Sequence, residues 1–220
     1  MIKIERAKQP YILERKGKEW TEKLLSTSSE KEKRKTDTKY KHLQVKETLV
    51  AMFHGKCAYC ESKITHIDYG HIEHYRPKSL FPSLTFDWSN LLLACGICNG
   101  AKGDRFPEIS DGGPIINPCD DDVDNHFEFF YDDIARLTSV IGRTTRGQIT
   151  EQLLGLNRHD LRKYRSNQVR KIYALVRLAR TDSEAKDLLT EAIKDSAEYA
   201  AFARAICLAK GSVPCSNSGA

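Results

Sequence analysis

The sequence lacks any apolar run long enough to cross a bilayer. A membrane-spanning helix needs about 20 consecutive apolar residues, whereas charged residues make up 30% of this 220-residue chain and interrupt its apolar stretches. The first ten residues, MIKIERAKQP, carry charge but lack the apolar segment of a secretory signal. We therefore expect a soluble, cytoplasmic protein with no membrane partner.

Positive charge is absent from one block and concentrated on either side of it. Residues 111–133 contain no Lys or Arg and 8 Asp or Glu. Residues 1–56 carry 15 Lys or Arg against 8 Asp or Glu, and residues 134–180 carry 11 against 2. Basic blocks suit a nucleic-acid backbone, because each phosphate contact releases counterions. The alternative is that they are ordinary solvated helix faces.

Cysteine is scarce outside two closely spaced pairs, Cys57-x-x-Cys60 and Cys95-x-x-Cys98. In a cytosolic protein such pairs are typical of metal sites rather than disulfides. Four thiolates complete the tetrahedral shell of Zn²⁺, so we predict a structural zinc with no open position. Unligated buried thiols and disulfides are the alternatives. Ordinary free thiols are expected at the remaining positions, Cys119, Cys207 and Cys215.

Catalytic chemistry must then come from other side chains, and Glu73-His74 lies between the two cysteine pairs. An imidazole can take a proton from water near neutral pH. A carboxylate can hold a hard divalent cation, and Asn99, directly after the last cysteine, offers a second oxygen ligand. The set predicts phosphodiester hydrolysis, in which His74 activates water and Mg²⁺ or Mn²⁺ on Glu73 and Asn99 binds the phosphate.

Several neighbours of this set are candidate site residues. Asn90 is expected to bond the loop backbone and so to fix the orientation of His74, and an exposed turn residue is the alternative. His71 shares a strand face with Glu73 and could be a further ligand or a half-buried structural histidine. Phosphate contact or simple surface charge are the alternatives for four flanking cations, Arg76, Lys78, Lys102 and Arg105.

The N-terminal quarter gives weak secondary-structure signals until residue 39. Residues 1–25 are expected to be irregular, because Pro10 limits an early helix. Residues 26–38 hold no apolar side chain and predict a mobile linker. Apolar positions at helical spacing predict a helix over 39–54. Docking on the core is expected for Trp20, Leu24 and Leu25.

The site segment itself predicts two strands and a short helix. The strands are expected at 69–74 and 90–94, and the helix at about 97–103. Gly100 and Gly103 make that helix weak on propensity alone, so metal ligation would have to hold it.

The remainder of the chain is predicted to be loop and then helix. Residues 106–133 indicate a loop, although 126–140 could form a strand or a docking segment. We expect Thr145 to cap one helix and Asn157 to cap the next. A third helix is predicted from Thr181 to about Lys210, followed by a frayed tail.

The site residues resemble those of the HNH, or ββα-metal, nucleases. The match runs through Cys57-x-x-Cys60, Glu73-His74-x-x-Pro77, Asn90 and Cys95-x-x-Cys98-Asn99, with Lys102 beyond it. The resemblance implies that His74 is the general base and Asn90 its orienting residue. It also implies that Glu73 and Asn99 bind the metal, with Glu73 standing where many members have aspartate.

With this resemblance, the expected fold class is α+β and mostly helical. A ββα-metal unit, held together by zinc on four cysteines, is expected inside a helical chain. The expected division has three parts. Residues 1–56 form an N-terminal helical region with a basic linker, and residues 57–106 form the HNH core. Residues 107–220 form an acidic loop and a C-terminal helical region.

A closer resemblance covers most of the chain. The stretches GKCAYCE, GHIEHYRPKS, LLLACGICNGAKGDRFP and LLGLNRHDLRKYR are similar to HNH nuclease subunits of Septu anti-phage systems, a family also found as retron effectors. The resemblance implies a defence role and an ABC-type ATPase partner that restrains or triggers the nuclease. Residues 111–133 and the C-terminal helices are the expected docking surface.

Two other functions remain open from the sequence. One is a stand-alone restriction-like HNH endonuclease without an ATPase, and the other is a non-catalytic zinc module that binds nucleic acid. The latter would keep the four cysteines but would not need Glu73, His74 and Asn99 together. DNA is favoured over RNA as the target, although the sequence shows no base-reading module.

Overall fold

The N-terminal region is helical from residue 11 onward. In the computed structural model, which describes residues 1–211, it forms α1 (Tyr11–Ser26), α2 (Glu30–Asp37) and α3 (Leu43–Met52). The expectation of irregular structure over 1–25 is wrong for α1. Pro10 precedes the first turn with φ −59°, and there its missing N–H costs no hydrogen bond and its fixed φ favours the helix that follows.

Helix α2 replaces the predicted linker at 26–38. The Ser29 hydroxyl accepts a hydrogen bond from the Glu32 backbone N–H. Acidic residues in the first turn and basic residues in the last complement the helix dipole. Lys23 of α1 contacts Glu32 at 2.8 Å. The cap and the order of charges along the segment thus stabilise a helix, although the absence of apolar residues had predicted a linker.

The site unit has the predicted strand–strand–helix order. Strand β1 (His71–His74) pairs antiparallel with β2 (Leu91–Ala94), and Glu73 lies opposite Leu92. Every residue of β2 is buried. Helix α4 (Gly96–Lys102) follows directly, and Cys95 caps it by accepting a hydrogen bond from the Cys98 N–H. The predicted fold class, α+β and mostly helical, is confirmed.

A second hairpin lies in the region left open between loop and strand. After the short helix α5 (Val123–His126), β3 (Phe127–Asp132) pairs antiparallel with β4 (Leu137–Gly142). Alternate residues of both strands are buried, beginning with Phe127. The strand alternative at 126–140 is therefore correct in type, but two strands form where one was expected, and the loop expected over 106–133 is wrong for α5 and β3.

Four helices complete the described chain: α6 (Thr145–Leu153), α7 (His159–Leu178), α8 (Ser183–Ala192) and α9 (Ala200–Lys210). The single helix predicted from Thr181 to Lys210 is two helices. Between them Tyr199 adopts a left-handed conformation with φ 57°, and its hydroxyl lies 2.9 Å from Ser62 Oγ. Most of the predicted frayed tail, with Cys215, lies outside the described residues.

Two predicted helix caps are displaced. The cap of α6 is Thr144, not Thr145, because the Thr144 hydroxyl accepts a hydrogen bond from the Gly147 N–H at 3.1 Å. Asn157 does not cap α7. Its side chain instead bonds both backbone groups of Val140 in β4, at 2.9 and 2.7 Å. Tertiary pairing thus takes a side chain that local sequence assigns to a helix end.

The N-terminal helices pack directly on the loop that joins β1 to β2. Trp20 of α1 lies edge-on against Phe86 of that loop, with ring centroids 5.5 Å apart. Both rings are buried in one core that also takes side chains from the C-terminal helices. No helix within residues 1–211 has both the length and the apolar character required to cross a lipid bilayer.

Adjacent leucines on α1 test how this helix docks. Leu24 is 8% exposed and Leu25 is 53% exposed, so the expectation that both dock is correct only for Leu24. We expect Leu24→Ala to lower the free energy of unfolding by about 2–5 kcal/mol, through lost burial and a residual cavity. Leu25→Ala is the matched control and should change it by about 0.5 kcal/mol or less. Denaturant unfolding monitored by circular dichroism measures both, and equal losses would contradict this packing.

Candidate active site

The four paired cysteines meet at one point. Their sulfur atoms all lie within 4.8 Å of one another, and Cys60 Sγ is 4.0 Å from Cys95 Sγ. None of the four forms a disulfide. A zinc–sulfur distance of about 2.3 Å gives a tetrahedron with edges of about 3.8 Å. The four thiols therefore fit one zinc ion after a small contraction.

Backbone contacts hold the first cysteine turn against the sheet. The Ala58 N–H donates to the Leu93 carbonyl of β2 at 2.8 Å. Close packing makes ionisation of the thiols interdependent: burial raises the pKa of Cys57 well above its usual value. Hydrogen bonding with Cys57 lowers the pKa of Cys60 well below its usual value. A bound metal removes this conflict, because it takes all four as thiolates.

Glu73 points into the protein and meets a buried lysine. Its Oε1 is 2.7 Å from Lys102 Nζ, and Tyr59 donates to the same oxygen at 3.5 Å. Burial raises the pKa of Glu73, and the Lys102 charge opposes this shift. Within residues 1–211, no group donates a hydrogen bond to Oε2, which leaves that oxygen for a ligand.

Lys102 does not lie where a phosphate contact requires it. Its residue surface is 1% exposed, and its ammonium also donates to the His74 carbonyl at 2.8 Å. In this arrangement the charge acts on Glu73 and not on a nucleic-acid backbone. The sequence pattern alone could not reveal this, because exposure depends on how α4 packs against β1.

His74 is held in one tautomer. Its Nε2 lies 3.0 Å from the carbonyl oxygen of Thr85, so Nε2 carries the proton and Nδ1 keeps a lone pair. No group in the described part of the chain donates to Nδ1. Burial lowers the pKa of His74 to about 4, which keeps the ring neutral at neutral pH and its Nδ1 lone pair unprotonated.

The expected backbone contact of Asn90 is present. Its Oδ1 accepts from the Arg76 N–H at 2.7 Å, and its Nδ2 donates to the carbonyls of Arg76 and Leu84 at 3.0 and 3.2 Å. Leu84 precedes Thr85, the acceptor for His74. Asn90 therefore fixes the loop segment that orients the imidazole.

Asn99 is half-buried on α4, three residues before Lys102. Residues at this spacing share a helix face, so Asn99 lies on the same face of α4 as Lys102. The amide makes no hydrogen bond within the described chain, residues 1–211. A carboxylate oxygen and an amide oxygen suit Mg²⁺ or Mn²⁺. The chemistry of these two donors therefore fits such a cation, and Lys102 is a positive neighbour of the carboxylate.

The two halves of the predicted constellation lie on different sides of β1. Consecutive strand residues project in opposite directions. Glu73 accordingly faces Lys102 and α4, whereas His74 faces Thr85 and the connecting loop. A phosphate acted on by both would have to straddle the end of the strand at residue 74.

The other predicted contact residues are exposed or partly exposed. Arg76 is exposed and stacks on two aromatic rings, Phe81 at 5.6 Å and Phe106 at 5.3 Å. Lys78 pairs with Asp37. Arg105 is exposed and donates to the Leu153 carbonyl at 3.4 Å. His71 is also exposed, and its Nε2 lies 3.9 Å from an oxygen of Asp68.

Contacts from outside the motif complete the site. The ring of Tyr40 stands nearly perpendicular to the His74 imidazole, at 79° and with centroids 4.5 Å apart. Arg158 Nη1 is 3.6 Å from Cys98 Sγ. Neither residue shares a motif with its partner, and sequence inspection missed both. The sequence could have pointed to Tyr59, since this residue lies between the two cysteines of the first pair.

The two strands, the following helix and the four thiols are the architecture of the ββα-metal nucleases, with Glu73-His74 at the end of the first strand. Residues 57–105 match the family described as HNH endonuclease. The chain carries an HNH endonuclease domain, and the resemblance stated from the sequence is confirmed.

Similarity to known proteins extends beyond this domain. The Septu protein PtuB of Bacillus mycoides is 29% identical over 204 residues, which cover 78% of this chain and 68% of PtuB. A Vibrio cholerae protein of retron Vc95, whose name describes it as an HNH endonuclease, is 30% identical over 125 residues. The match covers 54% of this chain and 60% of that protein. The Septu protein PtuA of Bacillus mycoides is 29% identical over 141 residues, covering 52% of this chain but 19% of PtuA. No solved structure matches significantly.

The thiol cluster predicts the metal content of the protein. We expect about one zinc per chain, and Cys98→Ser should lose it, because a hydroxyl replaces one thiolate. The melting temperature should fall with it, since metal binding contributes folding free energy. Cys119→Ser, another buried cysteine that is not in the cluster, should keep its zinc. Elemental analysis with thermal unfolding measures both, and zinc retained by Cys98→Ser would contradict a four-thiolate site.

Proposed function

We propose that this protein is a metal-dependent HNH endonuclease that hydrolyses phosphodiester bonds of nucleic acid. We further propose that it is the nuclease component of an anti-phage defence complex with an ABC-type ATPase. The HNH domain and the similarity to Septu and retron proteins support the nuclease class. A cytoplasmic location and the three-part division at residues 56 and 106 belong to the same proposal.

The observation that carries the proposal is the fixed imidazole of His74. The Thr85 carbonyl holds its Nε2–H at 3.0 Å, and Asn90 holds the loop that carries Thr85. The Nδ1 lone pair can then take a proton from an attacking water. Hydrolysis by this route leaves a 5′-phosphate and a 3′-hydroxyl.

Two kinds of metal serve different ends in this proposal. Zinc on Cys57, Cys60, Cys95 and Cys98 is structural. Glu73 and Asn99 would hold Mg²⁺ or Mn²⁺, which when bound supplies Lewis-acid stabilisation of the phosphate and the leaving oxygen. Strand β1 carries Glu73, and helix α4 carries Asn99.

Substrate contact is proposed for the cations that remain accessible. Arg76 and Arg105 are exposed and flank the site, and Lys78 is partly exposed beside Asp37. Backbone contacts of this kind position a strand without reading its sequence. We propose DNA in preference to RNA as the target.

The ATPase partner is proposed from similarity to Septu proteins, including a segment of PtuA. The docking surface we propose is the acidic block 111–133 together with the C-terminal helices. Asp121 in that block already pairs with Arg146 at 2.7 Å. Asp122 and Asp124 therefore offer more of their charge to a basic partner surface.

His74→Ala tests the proposed base. In the zinc-loaded protein with its co-expressed ATPase, cleavage of plasmid and of tRNA should require Mg²⁺ or Mn²⁺. The variant should lose about 10²–10⁴-fold in rate, because it removes the proton acceptor. His159→Ala is the control, since that histidine is exposed and pairs with the adjacent Asp160.

Four outcomes separate the alternatives. Equal cleavage by wild type and His74→Ala would remove His74 as the base. Binding without cleavage under any metal condition would favour a non-catalytic zinc module. Full activity without the ATPase, with no complex in gel filtration, would favour a stand-alone endonuclease. Cleavage of tRNA alone would replace DNA as the target.

A further inference from the structure

Lys102 is the most deeply buried lysine near the proposed chemistry, and its ammonium is fully satisfied. It contacts Glu73 Oε1 at 2.7 Å, the His74 carbonyl at 2.8 Å and the Gly103 carbonyl at 3.4 Å. An ammonium has three donors, so three oxygen partners use them all. Lysine is almost never fully buried without a partner. These contacts therefore hold the side chain in one place.

Glu73 and Lys102 balance each other's charge. Glu73 contributes one negative charge, and Lys102 cancels it from 2.7 Å away. The Asn99 amide adds no charge. A divalent cation bound to Glu73 would meet a carboxylate already paired and a fixed positive charge next to it. Phosphate oxygens of a nucleic acid would supply the missing negative charge.

We propose that the Lys102 ammonium occupies Glu73 as its permanent counter-ion. The Lys102 charge therefore keeps divalent-metal binding weak in the free protein, and it couples metal binding to the binding of nucleic acid. This rests on the proposed function, in that Glu73 and Asn99 are taken as the metal ligands. Lys102 is a positioning residue here. It holds the Glu73 carboxylate and the end of β1 against α4, while the substrate completes the metal site.

A purely structural lysine would behave differently. If Lys102 only joined β1 to α4, its loss would lower stability and would leave metal affinity unchanged or weaker. If it also competes for Glu73, its loss should expose an unpaired carboxylate and strengthen metal binding. The sign of the change in metal affinity therefore separates the two roles.

The first measurement uses the wild-type protein and needs no variant. Free Mn²⁺ is followed by electron paramagnetic resonance with zinc-loaded protein, with and without a short DNA duplex carrying non-hydrolysable linkages. We expect DNA to tighten Mn²⁺ binding by about tenfold or more, and Mn²⁺ to tighten DNA binding by the same factor, because coupling is reciprocal. Equal Mn²⁺ affinity with and without DNA would overturn the proposal.

The second measurement uses Lys102→Met, which keeps the length of the apolar stem and removes the charge. Without DNA it should bind Mn²⁺ about tenfold or more tightly than wild type, and Mn²⁺ should raise its melting temperature by more. Lys56→Met is the matched control: Lys56 is also buried, lies 3.9 Å from Glu61 and donates to the Ala197 carbonyl at 2.7 Å. It should bind Mn²⁺ as wild type does.

The outcomes distinguish this inference from the nuclease proposal. A folded, zinc-loaded Lys102→Met that binds Mn²⁺ no more tightly than wild type would overturn the inference, whatever the nuclease activity. If Lys102→Met does not fold, an equal Mn²⁺ affinity of the wild type with and without DNA still overturns the inference. Cleavage by wild type together with DNA-independent Mn²⁺ binding would leave the nuclease standing and remove the role of Lys102. If the wild type cleaves no substrate but its Mn²⁺ binding is coupled to DNA, the nuclease proposal falls and the role of Lys102 stands.

Discussion

The meeting of four thiols at one point is the constraint on which the rest of the site depends. It joins the turn after α3 to the end of β2 and the start of α4, segments that are distant in sequence. Helix α4 contains glycine at positions 96 and 100 and would be weak alone. The Cys95 sulfur caps its first turn by accepting a hydrogen bond from the Cys98 N–H. Because α4 carries Asn99 and Lys102, the position of this thiol cluster also sets where the Asn99 amide and the buried Lys102 charge stand relative to β1.

The orientation of the imidazole depends on a different set of contacts. Thr85 lies in the loop between the strands, and Asn90 fastens that loop to the backbone at residue 76. Trp20 packs on the same loop through Phe86, and Tyr40 stands against the imidazole itself. The N-terminal helices thus form one wall of the candidate active site. A nuclease motif of some fifty residues is completed here by a region that no motif includes.

Charge is used in two ways around this site. At the surface, pairs such as Lys23–Glu32 contribute little to stability, since water screens them. In the interior, Glu73 and Lys102 depend on each other, because an unpaired buried charge is strongly destabilising. This dependence gives the ion pair a definite geometry. It also means that a further charged group entering the site changes the charge balance of the pair. Arg76 and Arg105 remain outside and available to a substrate.

The sequence alone determined the parts of the protein that rest on local spacing. The cysteine pairs, Glu73-His74 and the short helix after Cys95 were all predicted, and so were two strands, at 69–74 and 90–94, which the structure has at 71–74 and 91–94. Each of these features needs only neighbours in the chain. Helix α2 was missed because capping and charge order outweighed its polar composition. Only the tertiary structure decided that Lys102 is buried against Glu73, that Tyr40 faces His74 and that Asn157 serves β4 instead of α7. Burial and long-range pairing are properties of packed elements, and no local pattern encodes which side chain a distant segment will cover.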